Sequence, residues 1–437
     1  MKPMNVGLLG IGTVGAGTFT VLSRNAQEIS RRAGRPIRII VVAEKDVARA
    51  SAIIQDACRV VDDAFAVVSD PEIDIVIELI GGCGVAKELV LKAIANGKHV
   101  VTANKALLAM HGNEIFSEAH KQGVMVAFEA AVAGGVPIVK AVREGLSANR
   151  IEWIAGIING TTNFILSEMR DKGLSFDTVL KEAQRLGYAE ADPTFDIEGV
   201  DAAHKITILS AIAFGIPMQF DKAYIEGISQ LNAKDIKYAE QLGYRIKLLG
   251  ITKRTTAGVE LRVHPTLIPA KRLIANVEGA MNAVLVQGDA VGATLYYGKG
   301  AGAEPTASAV IADLVDVTRL HTADPEHRVP HLAFQPDQLV DLPILPIDEV
   351  LTCHYMRLRV QDEPGVLADI TRVLADEQIS IDALTQIEPN EGEDEADLIL
   401  LTHLTREKRA NAAIARLEKL PVVVGKVTHI RMEMLGK

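Results

Sequence analysis

The chain begins with the stretch MNVGLLGIGTVG at residues 4–15, which determines the fold of its first part. An apolar run over 6–9 leads directly into Gly10-Ile11-Gly12-Thr13-Val14-Gly15. A strand followed by this glycine turn and a helix is typical of dinucleotide-binding domains, and a glycine-rich turn in another α/β protein is the alternative. The glycines permit a tight turn, close approach of a pyrophosphate and helix packing, while free amides at the helix start favour phosphate charge. The residues expected to contact the dinucleotide are Gly10, Gly12, Thr13, Val14 and Gly15.

Four further apolar runs in the first 150 residues predict a parallel sheet. They cover Ile37–Ala43, Ile73–Ile80, Val100–Ala103 and Val124–Phe128. They are rich in Val and Ile and do not alternate with polar residues, which is typical of strands buried on both faces with helices as crossovers. The predicted fold class is therefore α/β, with a Rossmann-type domain over 1–150 on which the chain near 305–320 packs back.

Two polar positions near the ends of these strands are candidates for ligand contacts. Glu44 follows the second strand and can bind a ribose, although it lies further from Gly15 than the usual distance of about 20 residues. Lys45 and Arg49 beside it can instead take a 2′-phosphate, so the choice between NAD and NADP stays open. Lys105 follows the predicted strand Val100–Ala103 and either reaches a ligand or starts a solvated helix.

The block 151–320 reads as an α+β domain. The predicted strands are Ile151–Ile158, 245–252, 258–264 and others between 282 and 296, and the predicted helices lie near 162–172, 176–187 and 197–214. The last helix carries Asp201 and Lys205 four residues apart on one face, yet it is apolar enough to be buried. A surface ion pair is the simpler interpretation, but charges are rarely buried without a task. With Glu190 and Asp196 just upstream, the pattern favours a polar substrate that bears an amine.

A proline-rich connector and a third unit complete the chain. Residues 325–346 hold five of the seventeen prolines, and we assign 321–350 as a linker along the surface. Its histidines, His321, His327 and His331, are expected to be solvent-exposed. Beyond it, 351–437 shows the strand–helix–strand–strand–helix–strand order of a ferredoxin-like unit. The predicted strands are His354–Val360, Ile379–Ile387, Asp397–Thr402 and Val422–Met432, and the helices are Val366–Glu377 and Arg406–Leu417.

Composition excludes several classes of function. The formal net charge of -10 does not favour nucleic acid or an anionic membrane as a partner. Three scattered cysteines form neither a disulfide framework nor a zinc site, and the eleven histidines show no metal-ligand spacing. No apolar run is long enough to span a membrane and no signal peptide is visible, so we expect a cytoplasmic protein.

Three motifs together resemble the homoserine dehydrogenase family, in the form without a fused aspartate kinase. The most specific runs from Gly187-Tyr188-Ala189-Glu190-Ala191-Asp192-Pro193 through Asp196 to Gly199-Val200-Asp201-Ala202-Ala203-His204-Lys205. Asn159-Gly160-Thr161-Thr162-Asn163 and Gly298-Lys299-Gly300-Ala301-Gly302 match the family as well. In the tail, Asp362-Glu363-Pro364-Gly365-Val366-Leu367 resembles the start of an ACT domain, a module that commonly binds amino acids.

The resemblance implies reversible, NAD(P)-dependent interconversion of L-homoserine and L-aspartate 4-semialdehyde, on the path to threonine, methionine and isoleucine. It implies that Lys205 and Asp201 are catalytic, without deciding which of them transfers the proton. The residues it implies for substrate binding are Glu190, which we expect to be buried, Asp196, Gly160, Thr161 and Tyr188. The glycine turn, Glu44 and Lys45 are already expected to contact the cofactor. The resemblance adds four further cofactor contacts, namely Ile80, Gly81, Lys105 and Gly302. It also implies a monovalent cation (Na⁺ or K⁺) at Glu129, Val132, Gly134 and Val136.

The resemblance extends to assembly and regulation. A catalytic and dimerisation domain followed by an ACT domain implies a homodimer or homotetramer, with threonine as the expected effector of the tail. Because none of the catalytic residues lies in 351–437, a chain ending near Arg328 is expected to keep its activity.

Two other classes of protein are alternatives to the homoserine dehydrogenase family. A phosphorylating semialdehyde dehydrogenase needs a cysteine thiolate, and 151–320 contains no cysteine. A non-catalytic sensor that binds nucleotide and amino acid would have the same domains without turnover.

Overall fold

The computed structural model describes residues 2–387 and 394–436 and begins with a six-stranded parallel sheet. Its strands are β1 (Met4–Leu9), β2 (Ile37–Ala43), β3 (Arg59–Val61), β4 (Ile75–Glu78), β5 (His99–Thr102) and β6 (Val126–Ala127), in the order β3-β2-β1-β4-β5-β6. The helices around it are Thr13–Arg24, Ala26–Ala33, Val47–Ile54, Ala64–Ser69, Val85–Ala95 and Lys105–Lys121. The predicted Rossmann-type fold is confirmed. Sequence analysis missed β3 because this edge strand is three residues long and no more than half-buried.

A helix that comes late in the chain completes this first unit. Helix Ala303–Leu320 packs on helix Thr13–Arg24, and its apolar face shares a core with β1, β2 and β4. The two helices cross closely at Gly17, where a Cβ would lie 2.5 Å from the carbonyl oxygen of Ala303. The chain thus leaves the first unit, builds the second and returns.

The second unit is a mixed sheet with a buried helix on one face. Its strands are β7 (Ile151–Ile157), β8 (Tyr224–Ile225), β9 (Tyr244–Arg254), β10 (Val259–Pro269), β11 (Met281–Gly288) and β12 (Gly292–Lys299). Its helices are Ile138–Lys140, which continues as a π-helix over Ala141–Gly145, then Gly160–Lys172, Phe176–Arg185, Thr194–Ile197, Val200–Phe214 and Ala233–Gln241. The last of these was not predicted.

The apolar helix that carries Asp201 and Lys205 is buried along all but its first residue. It begins at Val200 rather than 197, because Gly199 adopts a left-handed φ of 83° and separates it from the short helix Thr194–Ile197. The short helix and the turn that follows it, residues 194–199, carry Asp196 and are called the Asp196 loop.

The tail has the predicted ferredoxin-like order. Its strands are β13 (Leu351–Gln361), β14 (Ile381–Ile387), β15 (Glu395–Thr402), β16 (Thr405–Arg406) and β17 (Val423–Met432), and its helices are Val366–Asp376 and Glu407–Leu417. The four long strands are antiparallel in the order β17-β13-β15-β14. Sequence analysis missed β16, a two-residue strand paired with the start of β13.

The tail is not the separable module that the sequence suggested. Strand β17 pairs in parallel with β10, at Thr266 with Arg431 and Leu267 with Met432, so the two units form one eleven-stranded sheet. A chain ending near Arg328 would leave this part of β10 without its partner strand, and the expectation that such a chain keeps its activity stays a prediction.

The connector is bound to both the first and the second unit. The Val259 amide donates to the Pro343 carbonyl at 2.9 Å, and Val259 accepts from the Leu345 amide at 2.8 Å. The expected exposure of His331 is wrong, because its ring stacks on Phe116 and its Nε2 accepts from the Val126 amide at 3.1 Å. In the part of the chain that the structure describes, no helix is long and apolar enough to cross a membrane.

Candidate active site

A cleft of about 730 Å³ lies where the first two units meet. Ten residues predicted for the site line it, namely Val14, Lys105, Gly134, Gly160, Thr161, Tyr188, Asp196, Asp201, Lys205 and Gly302. The glycine turn thus faces the charged helix that sequence analysis placed in a different domain.

The glycine turn has the shape that a pyrophosphate requires. Gly10 has a left-handed φ of 90°, and a Cβ there would lie 2.8 Å from the Leu79 carbonyl oxygen. A Cβ on Gly15 would lie 2.2 Å from the Gly10 carbonyl oxygen, so both positions require glycine. At Gly12, by contrast, a Cβ would meet no atom within 4 Å. This open position at the start of helix Thr13–Arg24 fits a dinucleotide phosphate.

The ends of β2 and β4 complete the cofactor side. The Glu44 carboxylate accepts from the amides of Ile11 at 3.0 Å and Lys45 at 2.9 Å, which holds it beside the glycine turn. The amides of Ile80 and Gly81 donate to the carboxylate of the buried Glu78 at 2.9 and 3.0 Å. These predicted cofactor residues therefore lie at the carboxyl edge of the sheet, where ligands bind in this fold.

Two lysines share one buried carboxylate on the opposite wall. Lys205 Nζ donates to Asp201 Oδ2 at 2.7 Å and to the Ile158 carbonyl at 2.7 Å. Lys105 Nζ lies 3.0 Å from Asp201 Oδ1. Lys105 starts helix Lys105–Lys121, where the Asn104 side chain caps the helix by accepting from the Leu107 amide. The structure therefore favours a lysine that reaches a ligand in the cleft over a lysine that starts a solvated helix.

A group of hydrogen-bonded side chains contacts Asp201 and lines the same cleft. Asn159 Nδ2 donates to Asp196 Oδ1 and Asp201 Oδ2, both at 2.8 Å. Thr161 Oγ1 donates to the Tyr188 carbonyl at 2.7 Å and contacts Asp196 Oδ2 at 3.3 Å. Sequence analysis did not name Asn159 as a site residue. Its signal was present, because an Asn that ends a strand and caps the next helix lies at a sheet edge.

Burial and charge shift the pKa values of these groups in different directions. Burial lowers the pKa of Lys205, helped by Lys105 and only partly opposed by Asp201. Burial opposes ionisation of Asp201, yet the two ammonium groups outweigh it and hold the pKa of Asp201 below its ordinary value. For Lys105, the nearby carboxylates outweigh burial and raise the pKa. The sequence left open whether burial or Asp201 determines the direction of the shift in the pKa of Lys205. In the structure burial outweighs Asp201, and the pKa is lowered.

Glu190 and His204 differ from the rest of the site. Glu190 was predicted to be buried, but it is exposed and does not line the cleft, although its charge helps to raise the pKa of Lys105. His204 lies between the rings of Phe195 and Phe220, and burial lowers its pKa to about 4. It is therefore neutral near pH 7.

The turn implied as a cation site packs under the Lys299–Gly302 loop. Glu129 accepts the amides of Val139 and Lys140 at 2.9 and 2.8 Å, which caps the helix that follows. Burial and the neighbouring Asp313 carboxylate raise the pKa of Glu129 to about 7. Gly134 has a φ of 49°, and a Cβ there would lie 2.4 Å from the Gly300 carbonyl oxygen. Hard oxygen donors are therefore present, although both Glu129 oxygens already accept hydrogen bonds.

Comparisons with known proteins place the whole chain in one family. Residues 137–315 match the family profile described as Homoserine dehydrogenase, 10–129 match Homoserine dehydrogenase, NAD binding domain, and 354–422 match ACT domain. The chain is 62% identical to homoserine dehydrogenase from Pseudomonas aeruginosa over the full length of both. The crystal structure of a homoserine dehydrogenase from Thiobacillus denitrificans is 70% identical, covers 100% of this chain and 99% of its own, and superposes with a TM-score of 0.96. That of the S. aureus homoserine dehydrogenase is 32% identical over 99% of both chains, with a TM-score of 0.77.

These matches confirm the resemblance and decide between the classes of protein. An oxidoreductase with a nicotinamide cofactor agrees with the glycine turn and with the lysines that face it, and a non-catalytic sensor is not favoured. The ACT domain is present and consistent with regulation by an amino acid. With its NAD-binding, catalytic and ACT domains in the order that the sequence predicted, the chain belongs to the homoserine dehydrogenase family.

Proposed function

We propose that the chain interconverts L-aspartate 4-semialdehyde and L-homoserine in the cleft between the glycine turn and helix Val200–Phe214. The observation that carries this proposal is the Lys205 ammonium, buried at 2.7 Å from Asp201 and directed into the cleft. A reduced nicotinamide bound there supplies the hydride for the aldehyde carbon. The protein must then provide a proton for the alkoxide oxygen.

Lys205 is the proposed proton donor. Its ammonium stabilises the developing negative charge and can transfer one proton to the alkoxide, leaving a neutral amine. In the oxidative direction the neutral amine accepts the hydroxyl proton, and the lowered pKa of Lys205 makes that form accessible. Asp201 is a poor donor because the two ammonium groups hold its pKa low and keep it ionised. We therefore assign Asp201 to orienting Lys205 and Lys105.

The substrate's amino-acid end is assigned to the polar group beside the lysines. Asp196 is held by Asn159 and Thr161, and its pKa is raised by burial and by Asp201. A substrate ammonium would offset that excess negative charge. Gly160, Thr161 and Tyr188 form the wall around it, Glu190 supplies longer-range charge, and Lys105 stands between substrate and cofactor.

On the cofactor side, we assign the pyrophosphate to Gly10, Gly12 and the amides of Thr13, Val14 and Gly15. We assign Ile80, Gly81 and Gly302 to the nicotinamide end of the cofactor, and Gly302 lines the cleft. Glu44 favours a free ribose hydroxyl, whereas the exposed Lys45 favours a 2′-phosphate, so NAD and NADP are both proposed.

We further propose a monovalent cation, Na⁺ or K⁺, at Glu129 and the carbonyls of Val132, Gly134 and Val136. Two buried carboxyl groups, Glu129 and Asp313, support it, because a bound cation would offset the repulsion between them that, together with burial, raises the pKa of Glu129. The proposed domains are 1–150, 151–320, 321–350 and 351–437, assembled as a homodimer or homotetramer. Threonine is the proposed effector at the ACT domain, and free thiols at Cys58, Cys83 and Cys353 support a reducing, cytoplasmic setting.

One assay tests this function. Purified full-length protein is mixed with L-aspartate 4-semialdehyde and either NADPH or NADH, and oxidation of the cofactor is followed by absorbance. Turnover that depends on the semialdehyde, and homoserine as the product, are expected. Absence of turnover with both cofactors would contradict the proposal and favour a sensor.

A further inference from the structure

Several charged contacts join the tail to the catalytic unit, among them Glu433 with Arg262 and Asp397 with Lys234, and two others are made by arginines of the tail. At the first, Arg431 of β17 donates to Glu226 Oε2 at 2.6 Å. At the second, Arg357 of β13 donates to the two carboxylate oxygens of Asp235 at 2.6 and 3.0 Å. Glu226 follows β8, whereas Asp235 lies on helix Ala233–Gln241. The two contacts therefore reach different elements of the catalytic unit.

The position of Arg431 is determined by the tail. Its guanidinium donates two hydrogen bonds, at 3.0 and 2.5 Å, to Glu407, which begins helix Glu407–Leu417. It also lies over the Tyr224 ring, 4.8 Å from the ring centre, and donates to the Tyr224 hydroxyl at 3.0 Å. A planar guanidinium held by these contacts has one orientation. A movement of helix Glu407–Leu417 would therefore displace Arg431 and, with it, the group that binds Glu226.

Glu226 belongs to a segment, residues 226–228, that packs directly on the Asp196 loop. The Glu226 amide donates to the Val263 carbonyl, and the Ile228 amide donates to the Ile197 carbonyl, both at 2.8 Å. A Cβ on Gly227 would lie 2.4 Å from the Ile197 carbonyl oxygen. No space therefore separates the segment 226–228 from the Asp196 loop.

That loop holds the carboxylate that we assign to the substrate. Asp196 immediately precedes Ile197, and its oxygens contact Asn159 at 2.8 Å and Thr161 at 3.3 Å. At the second contact, by comparison, none of the hydrogen bonds of the described residues joins helix Ala233–Gln241 to residues 194–199.

We propose that Arg431, acting through Glu226, positions the Asp196 loop, so that the ACT domain sets the affinity of the catalytic cleft for the amino-acid end of its substrate. Glu226 and Arg431 are positioning residues, and neither lines the cleft. The inference rests on the substrate role proposed for Asp196. It makes the tail a part of the substrate site rather than an appended sensor.

The test compares three single variants of the full-length enzyme. Glu226→Gln removes the charge at the first contact, Asp235→Asn removes it at the second, and Asp196→Asn removes the proposed substrate carboxylate. We expect Glu226→Gln to raise KM for homoserine about fivefold or more, with kcat and KM for the cofactor changed less than about twofold. Asp235→Asn should lower thermal stability and leave KM for homoserine unchanged. In the Glu226→Gln/Asp196→Asn double variant, the two effects on KM should be far from additive.

Several results would overturn the inference. An equal rise in KM for Glu226→Gln and Asp235→Asn would show a general loosening of the joint. If Asp196→Asn raised KM while Glu226→Gln did not, the route through Glu226 would be wrong and the substrate role of Asp196 would stand. If Asp196→Asn left KM unchanged, that role would be wrong, and the route with it. A Glu226→Asp variant that recovers the wild-type KM would support the positioning role.

Discussion

The two halves of the cleft are built in opposite ways. The half to which we assign the cofactor is centred on one continuous stretch of backbone, residues 10–15, with Glu44 and the end of β4 beside it and open space at Gly12 where a phosphate fits. The half to which we assign the substrate is formed by charged and polar side chains from four separate segments, which meet at Asn159, Asp196, Asp201 and Lys105. A continuous backbone motif is visible in the sequence, whereas a network of distant side chains is not. The predictions below test whether the halves are as independent as this contrast implies.

The largest effect is expected at the substrate half, from Lys205→Ala. Loss of the general acid should lower kcat roughly 100- to 10,000-fold. The dissociation constant of NADPH, measured by fluorescence titration, should stay within about twofold of wild type, because the glycine turn does not contact this helix position. The exposed Lys181→Ala is the matched control. Retention of more than about a third of wild-type kcat would contradict the assignment.

The next largest effect is expected from Gly12→Val, in the half of the cleft to which we assign the cofactor. At Gly12 a Cβ meets no protein atom within 4 Å, so Gly12→Val should fold normally and occupy the space of the phosphate. We expect KM for NADPH to rise about tenfold or more, while the melting temperature changes little. Gly145→Ala, at another open position, is the control. An unchanged KM would mean that the phosphate lies elsewhere.

A smaller effect is expected from Glu190→Gln. Because Glu190 is exposed, solvent screens its charge, and KM for homoserine should rise only about threefold. The cofactor dissociation constant should not change, and Glu240→Gln serves as an exposed control. A weaker cofactor complex with no change in KM for homoserine would move Glu190 to the other half of the cleft.

The smallest effect is a displacement of the pH profile. In the oxidative direction Lys205 must be neutral, so kcat/KM for homoserine should rise with pH and level off above the lowered pKa of Lys205. Asp201 raises that pKa, and Asp201→Asn should therefore move the rise to lower pH. The measurement is kcat/KM between about pH 6 and pH 10 for both enzymes. A shift to higher pH in the variant would contradict the assignment of Lys205 as the base.

Particular residues show where sequence analysis succeeded and where it stopped. Strand β2 was predicted to the residue, because a run of Val and Ile bounded by a turn signals a buried strand by itself. Asp201 and Lys205 were found because two charges on an apolar helix are anomalous. The exposure of Glu190 could not be predicted, because it depends on how the segment 187–199 folds, whereas Asn159 did carry a signal, its position between a strand and the helix that it caps. The binding of the tail to β10 was missed because it depends on two residue pairs far apart in the chain.

The eleven-stranded sheet has a consequence for how the chain is made. During synthesis β10 emerges from the ribosome long before β17, the strand that covers one of its edges. Until residues 423–432 have been translated, the part of that edge around Thr266 and Leu267 lacks its partner strand, and exposed strand edges are prone to pair with other nascent chains. The enzyme therefore completes its central sheet only after almost the whole polypeptide has been released, and premature termination within the tail yields a chain with an aggregation-prone edge.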